Sequence, residues 1–166
     1  MTGCDAPTAA ERAAATDTLT GLLHALDALD WAGARVYLAD RLRTDYTELF
    51  GGEPAEQTGD ELIAQWQGLL PGFTATQHLV GPALVQRRAD GLRLETHVAG
   101  QHVVADAPGG QVWAVYGNYL VTLLPAGARY VITDLVLQLH FVNGNTDLPL
   151  LAAERATSDP RTPRAG

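Results

Sequence analysis

The spacing of apolar residues changes once along this 166-residue chain, and that change limits the fold more than any other feature. From Thr8 to Leu29, and again over 59–70, apolar residues recur at i, i+3, i+4 and i+7, which predicts helices with one apolar face. Beyond Pro71-Gly72 the chain is rich in Val, Leu, Thr and Tyr, and four strands are predicted: 74–87, 91–105, 111–124 and 128–142. Helices followed by a run of strands indicate an α+β fold.

Between the two helices, the sequence predicts a short helix and a strand. Asp30 is a residue type favoured at helix N-caps, so we expect a short helix from Trp31 to Leu38. The segment from Leu42 to Phe50 is predicted to be a strand that ends at Gly51-Gly52.

The turns between the four long strands are short, so neighbouring strands are expected to pair antiparallel. Strands of this length predict a strongly twisted and bent sheet. The N-terminal helices are the only material that can cover one face of such a sheet. We therefore expect a cone with an internal pocket that suits a small, mostly apolar ligand.

The length of the chain suits a single domain, since one domain usually takes ~100–200 residues. Hydrophobic residues make up 46% of the chain, which is enough for a packed core. We expect the domain to span residues 10–156. Residues 1–9 and 157–166 are largely polar and contain proline, so both are predicted to be disordered tails.

Composition excludes several classes of function. The net charge is −8, and no basic stripe is present that could bind nucleic acid or an anionic membrane surface. All 11 basic residues are arginine, so Schiff-base chemistry on a lysine is excluded. The single cysteine, Cys4, excludes an internal disulfide and a cysteine metal cluster. With no signal peptide and no apolar stretch near ~20 residues, a soluble cytoplasmic protein is expected.

Strand alternation sorts the histidines into two faces of the sheet. His102 shares parity with the apolar, inward residues of its strand, whereas His97 shares parity with charged residues. His140 is predicted to point outward. The strand that carries His78 is apolar on both faces, so parity leaves its direction open. No two histidines have the H-x-x-x-H spacing of a helical zinc site, so no metal is predicted.

Asp27 lies at the border of the apolar stripe of the first helix, where a carboxylate is costly unless it finds a partner. An inward imidazole such as that of His102 is a natural partner, and a coupled Asp–His pair is suited to proton transfer near neutral pH. Two alternatives stay open. Asp27 can be a solvated helix-end residue, and His102 can be a hydrogen-bonded core histidine.

Five short segments together resemble the SnoaL-like branch of the nuclear-transport-factor-2-like (NTF2-like) superfamily, and scytalone dehydratases in particular. They are Ala25–Trp31, Asp45–Tyr46, Thr76–His78, Gln101–His102 and Gly117–Tyr119. The resemblance covers residues 19–150. It implies a cone-shaped NTF2-like fold in which a bent antiparallel sheet wraps around the N-terminal helices, and it implies neither a metal nor an organic cofactor.

The resemblance also implies roles for single residues. His102 would be the general acid or base, oriented by Asp27, and His78 would be a second acid–base group. Tyr46 would hydrogen-bond a substrate carbonyl. The residues expected to contact substrate are Asn118, Tyr116, Trp66 and Asp45. Leu26, where the dehydratases carry a tyrosine, and Tyr116, where they carry a serine, change the polar contacts expected at the carbonyl.

These observations predict a cofactor-independent dehydratase or cyclase that acts on a small apolar, polyketide- or terpenoid-like molecule. Proton abstraction would be followed by loss of water or ring closure. One alternative is an epoxide hydrolase or epoxide-opening ether cyclase that uses Asp27, Asp45 or Asp134. Another is a small-molecule-binding module without catalysis. A homodimer or other small homo-oligomer is also expected, with the apolar strand Val131–Val142 supplying the interface.

Overall fold

The computed structural model describes residues 6–163, so the predictions for residues 1–5, which include Cys4, and for residues 164–166 lie outside the described residues. The helices are α1 (Ala9–Ala28), α2 (Trp31–Arg35), α3 (Thr47–Phe50), α4 (Gly59–Gln67) and α5 (Leu148–Ser158), with a 3-10 turn at Leu70–Gly72. The strands are β1 (Leu38–Asp45), β2 (Ala55–Thr58), β3 (Ala75–Val80), β4 (Leu84–Arg87), β5 (Leu92–Val103), β6 (Val112–Ala126) and β7 (Arg129–Gly144). No helix within 6–163 combines the length and the apolar character needed to cross a bilayer.

The two longer N-terminal helices begin at matching side-chain caps. The Thr8 hydroxyl accepts a hydrogen bond from the backbone N–H of Glu11, whose carboxylate accepts one from the N–H of Thr8 in return. Thr58 and Glu61 repeat this capping box at the start of α4. Each box satisfies two N–H groups that a helix end leaves without partners, which fixes where the helix starts.

All seven strands form one sheet in the order β2-β1-β7-β6-β5-β3, and β4 also pairs with β5. Every pairing is antiparallel except that of β1 with β7, which is parallel. Register shifts between β6 and β7 mark bulges, which bend and twist a sheet. The concave face holds the apolar side of α1, so the predicted α+β cone is confirmed.

Several element boundaries differ from the predicted ones. The helix predicted to reach Leu38 ends at Arg35, because Leu38 already pairs with β7. The strand predicted from Leu42 to Phe50 therefore runs earlier, and its last four residues form α3. The strand predicted over 74–87 is two strands, β3 and β4, separated by a segment that contains Pro82, which has no N–H to donate to a ladder.

The C-terminal segment is more ordered than its composition suggests. Helix α5, which sequence analysis missed, buries Leu148 and Ala152 against the 3-10 turn. A disordered tail was expected from residue 157, but α5 extends to Ser158, and the N–H of Arg161 donates to the carbonyl of Pro71 at 2.6 Å. Packing between distant segments produces this order, and local composition carries no sign of it.

The contact between α5 and the 3-10 turn depends on a missing side chain. A Cβ atom on Gly72 would overlap the backbone carbonyl of Ala152, and a backbone carbonyl cannot rotate away as a side chain can. We expect Gly72→Ala to lower the free energy of unfolding by about 1–3 kcal/mol through overpacking. Urea unfolding would measure it. Gly68→Ala is the matched control, because its new Cβ would lie 3.4 Å from the nearest atom, the carbonyl oxygen of Gln65. Equal stability of both variants would contradict the prediction.

Candidate active site

A cavity of about 190 Å³ lies between α1, α4 and the concave face of the sheet. Its walls are mostly leucine and aromatic side chains from both layers. Phe50, which is 57% exposed, and the half-buried Trp66 line the side that opens to solvent. Besides the indole N–H groups of two tryptophans, polar side-chain atoms come from a small set of lining residues: Tyr46, Gln65, His78, His102 and Tyr119.

Asp27 and His78 form the closest acid–base pair at this cavity. One carboxylate oxygen of Asp27, Oδ1, lies 2.8 Å from Nδ1 of His78. The other, Oδ2, accepts the backbone N–H of His78, also at 2.8 Å. Since an ionised carboxylate only accepts, Nδ1 of His78 carries the proton and Nε2 is the ring nitrogen left for a ligand. That edge of the ring lies beside Gly100 and His102 in the cavity wall.

The fold brings this pair together from two distant segments. Asp27 occupies the last turn of α1, and β3 is the edge strand that packs against that helix. On β3, His78 shares the inner face with Thr76, whereas Gln77 and Leu79 point to solvent. The side chains of Asp27 and His78 are only 17% and 11% exposed, so their hydrogen bonds are largely shielded from water.

Burial alone would raise the pKa of Asp27. The hydrogen bonds from the ring and the backbone N–H of His78, the charge that His78 carries when it is protonated, and a hydrogen bond from the Thr76 hydroxyl outweigh that effect, and the net result is a lowered pKa. Asp27 is therefore ionised at neutral pH. An ionised carboxylate on Nδ1 stabilises the imidazolium that forms when Nε2 takes up a proton.

His102 points inward as predicted and is 6% exposed. Its ring packs against both Phe73 and Trp113, with ring centroids 4.9 and 4.7 Å away. Nδ1 of His102 donates to the carbonyl oxygen of Trp113 at 3.3 Å, which leaves Nε2 as an acceptor. Burial, with a contribution from His78, lowers the pKa of His102 to about 3, so its imidazole is neutral at physiological pH.

The predicted pairing of Asp27 with His102 is wrong. Asp27 binds His78 instead, because β3, which carries His78, packs on α1, whereas β5, which carries His102, is one strand further into the sheet. The rings of His78 and His102 meet edge to face, with centroids 5.4 Å apart. Sequence alternation left the direction of His78 open, since both faces of its strand are apolar.

Tyr46 and Tyr119 place two hydroxyl groups in the same cavity, where they hydrogen-bond each other. Burial raises the pKa of Tyr46 well above its ordinary value and that of Tyr119 to about 12. Both phenols therefore stay protonated at neutral pH. Two hydroxyls carry two protons and their mutual bond uses one, so one O–H remains for a ligand oxygen.

Sequence reasoning missed two of the polar lining residues. Tyr119 was not among the predicted site residues, although it shares strand parity with the buried Trp113 and Val115. Gln65 lies three residues after Leu62 and four before Leu69 on the apolar stripe of α4, which was the available signal. Its amide donates to the side-chain oxygen of Gln57 at 2.6 Å.

Of the four residues expected to contact substrate, only Trp66 lines the cavity. Asn118 and Tyr116 lie on the outer face of β6, where Asn118 accepts from Nδ1 of His97 at 2.7 Å and Tyr116 stacks on Phe141. They face away because β6 alternates, and the inward positions belong to Trp113, Val115 and Tyr119. As predicted, His97 and His140 are exposed.

Asp45 also lies away from the cavity. Its carboxylate accepts from the backbone and hydroxyl of Thr47 and pairs with Arg43, which also pairs with Asp134. Strand β1 turns into α3 at this point, so the carboxylate caps a turn on the outside of the sheet. Within residues 6–163, no three His, Cys, Asp or Glu side chains come close enough to hold a metal ion.

The low pKa of His102 gives stability a pH dependence of known sign. Below its ordinary pKa of 6.5 the unfolded chain binds a proton at this imidazole, whereas the folded chain resists until about pH 3. The stability that depends on neutral His102 is thus fully present above pH 6.5 and is lost as the pH falls toward 3. Between pH 7 and pH 4 we expect the free energy of unfolding of His102→Gln to fall by roughly 3 kcal/mol less than that of the wild type.

Urea unfolding at a series of pH values would measure the difference between His102→Gln and the wild type. His24→Gln is the matched control, because His24 is exposed on α1, and its curve should run parallel to that of the wild type. Parallel curves for His102→Gln and the wild type would contradict the assignment.

Comparison with known proteins shows the family of this chain. The model of the SnoaL-like domain matches residues 7–135. No curated protein sequence matches the chain. Among solved structures, the Kfla4162 protein from Kribbella flavida is similar in fold, with a TM-score of 0.75 and 18% identity over 89% of this chain and 97% of that one.

Two further structures share the fold. The "Putative Scytalone Dehydratase" from Novosphingobium aromaticivorans has a TM-score of 0.70 and 13% identity, over 82% of this chain and 88% of that one. The hexachlorocyclohexane dehydrochlorinase LinA-type3 from Novosphingobium barchaimii has a TM-score of 0.65 and 14% identity, over 82% and 91%. The domain match spans α1 to the first half of β7, which includes the acid–base pair and every lining residue of the cavity except Leu137, and the chain belongs to the SnoaL-like family.

Proposed function

We propose that this chain is a lyase that removes a proton next to a carbonyl of a small, mostly apolar cyclic molecule and expels a neighbouring hydroxyl as water. A polyketide- or terpenoid-like hydroxyketone is the substrate class. The observation that carries the proposal is the pair formed by Asp27 and His78, whose free Nε2 lies in an apolar cavity.

In the first step, Nε2 of His78 takes the proton from the substrate carbon. The electron pair of the broken C–H bond moves toward the carbonyl, and an enolate forms. The imidazolium that results is held by Asp27 through Nδ1, so the charge that develops on the base has a fixed counter-charge. A positioned base of this kind contributes typically ~10²–10⁴-fold to the rate.

The enolate oxygen needs a hydrogen-bond donor where negative charge develops. The O–H that the pair of Tyr46 and Tyr119 leaves free is such a donor, and the raised pKa of both phenols keeps it protonated. Because the walls of the cavity are apolar, a hydrogen bond there is stronger than the same bond in water.

In the second step, the electron pair of the enolate forms the new C=C bond, the C–O bond to the neighbouring hydroxyl breaks, and the imidazolium returns its proton to that oxygen. Water leaves, and His78 is again neutral. One base serves both steps if the proton and the hydroxyl leave from the same face of the ring. Neutral His102, whose Nε2 accepts, is placed to hold the hydroxyl before it leaves.

Two observations favour elimination over epoxide opening. Among the described residues, Asp27 is the carboxylate beside the cavity, and both of its oxygens already bind His78, whereas Asp45 and Asp134 pair with Arg43 outside. An epoxide-opening base would need a carboxylate free to activate water. The names of two similar structures, a dehydratase and a dehydrochlorinase, also denote eliminations.

A β-hydroxytetralone tests the proposed reaction, since loss of water turns it into a fluorescent naphthol. We expect His78→Ala to lower kcat by ~10²–10⁴-fold, because His102, the other imidazole at the cavity, has no carboxylate on its Nδ1 to hold the proton it would take up. Asp27→Asn should lower kcat as well, since the amide cannot stabilise the imidazolium. Appearance of naphthol fluorescence measures both rates.

Asn118→Ala and Tyr116→Phe are the matched controls, because both residues lie on the outer face of the sheet, and their rates should stay within about twofold of the wild type. Naphthol formation at an unchanged rate in His78→Ala would overturn the proposal. So would binding of the β-hydroxytetralone, detected by quenching of tryptophan fluorescence, without any conversion, which is the behaviour of a binding module.

A further inference from the structure

A cationic side chain that follows α5 contacts the two segments that carry the acid–base pair, and it does so from outside the cavity. Arg161 follows α5 and does not line the cavity. Its Nη1 donates to the backbone carbonyl of Asp27 at 3.2 Å, and its Nη2 donates to the hydroxyl oxygen of Thr76 at 3.4 Å. One guanidinium thus touches both α1 and β3, the two elements that supply Asp27 and His78.

The contact with Thr76 has a direction that follows from the chemistry of the two groups. A guanidinium has only donors, so the Thr76 oxygen must be the acceptor. The hydroxyl proton of Thr76 is then free to point elsewhere, and Thr76 also hydrogen-bonds the carboxylate of Asp27. The guanidinium therefore favours the hydroxyl rotamer that donates to Asp27.

This adds a third donor to the Asp27 carboxylate. Nδ1 of His78 binds one oxygen and the backbone N–H of His78 binds the other. Thr76 is 5% exposed and lies two residues before His78, on the same face of β3. A carboxylate held by three donors from one strand has little freedom to rotate away from the imidazole.

The contact with the Asp27 carbonyl also has a physical reason. The carbonyls at the C-terminal end of a helix carry partial negative charge and lack partners within the helix. Helix α1 has no basic residue in its last turn. Arg161 supplies a cation there from 134 residues away along the chain.

The position of Arg161 is fixed by backbone packing. Helix α5 lies directly against Gly72, and the N–H of Arg161 donates to the carbonyl of Pro71 at 2.6 Å. The 3-10 turn that contains Pro71 and Gly72 leads into Phe73, which packs on His102. The C-terminal segment is therefore attached at two points, Pro71 and Gly72, to the turn that leads into the packing around His102.

We propose that Arg161 is a positioning residue of this site, which acts through the Thr76 hydroxyl to hold the Asp27 carboxylate in register with Nδ1 of His78. Its catalytic consequence rests on the proposed function, but its effect on the Asp27–His78 hydrogen bond does not. Arg161 touches no substrate, so its loss should lower kcat and leave KM nearly unchanged.

Two measurements on the full-length chain test this. The first is the NMR resonance of the His78 Nδ1 proton in the ligand-free protein, which reports the hydrogen bond to Asp27 directly. The second is turnover of the β-hydroxytetralone. We expect Arg161→Gln to weaken protection of that proton from exchange and to lower kcat about tenfold, the effect of losing a hydrogen bond from a charged group.

Thr76→Val removes the hydroxyl at nearly constant volume and should give the same two changes. Because Arg161 acts through Thr76, the double variant should be no worse than Thr76→Val alone. Arg161→Lys keeps the charge but loses the planar fork that reaches two acceptors, so it should recover only part of the effect. Arg129→Gln, at the exposed start of β7, is the charge-matched control and should behave as the wild type.

Wild-type values of both the His78 Nδ1 proton signal and kcat in Arg161→Gln would overturn the proposal, as would additive effects of Arg161→Gln and Thr76→Val. A thermal melt and the Arg161→Lys variant separate loss of position from loss of folding. A changed proton signal in Arg161→Gln, combined with turnover that is independent of His78, would keep the positioning role and reject the lyase. A wild-type proton signal and kcat in Arg161→Gln, combined with turnover that requires His78, would reject the positioning role and keep the lyase.

Discussion

The carboxylate of Asp27 is the link on which the site depends. It sits at the end of α1, largely shielded from water, and binds both the backbone and the ring of His78 on the neighbouring edge strand. A buried carboxylate without partners costs several kcal/mol, so this helix and this strand are stable together only when the two groups meet. The same contact orients the imidazole, and structure and chemistry therefore rest on one pair of hydrogen bonds.

The cavity sets the character of the remaining polar groups. Its walls are mostly leucine and aromatic side chains, and the histidines and tyrosines that face it each have a hydrogen-bond partner in the protein. Nδ1 of His78 binds Asp27, Nδ1 of His102 binds the Trp113 carbonyl, and the two phenols bind each other. From these three pairs, two imidazole acceptors and one hydroxyl donor are left for a ligand. That set fits a molecule with one carbonyl, one hydroxyl and an otherwise apolar surface.

Burial separates the roles of the two histidines. The ring of His102 is enclosed by Phe73 and Trp113 and has no carboxylate partner, so it stays neutral. His78 has the carboxylate on Nδ1, so a proton transferred to its Nε2 during the reaction meets a fixed counter-charge. Two chemically identical side chains 5.4 Å apart thus become an acceptor and a base.

The sequence by itself determined the helices α1 and α4, the long strands β5 to β7, and the inward direction of His102, because each depends on local spacing or on period-two alternation. It also held the signal that Asn118 and Tyr116 face outward, since Trp113, Val115 and Tyr119 occupy the inward parity of β6. Only the tertiary structure decided which histidine meets Asp27, that Tyr46 and Tyr119 pair, and that Arg161 reaches the back of the site. Those contacts join residues tens of positions apart across different elements, and no local pattern encodes a distance that packing alone sets.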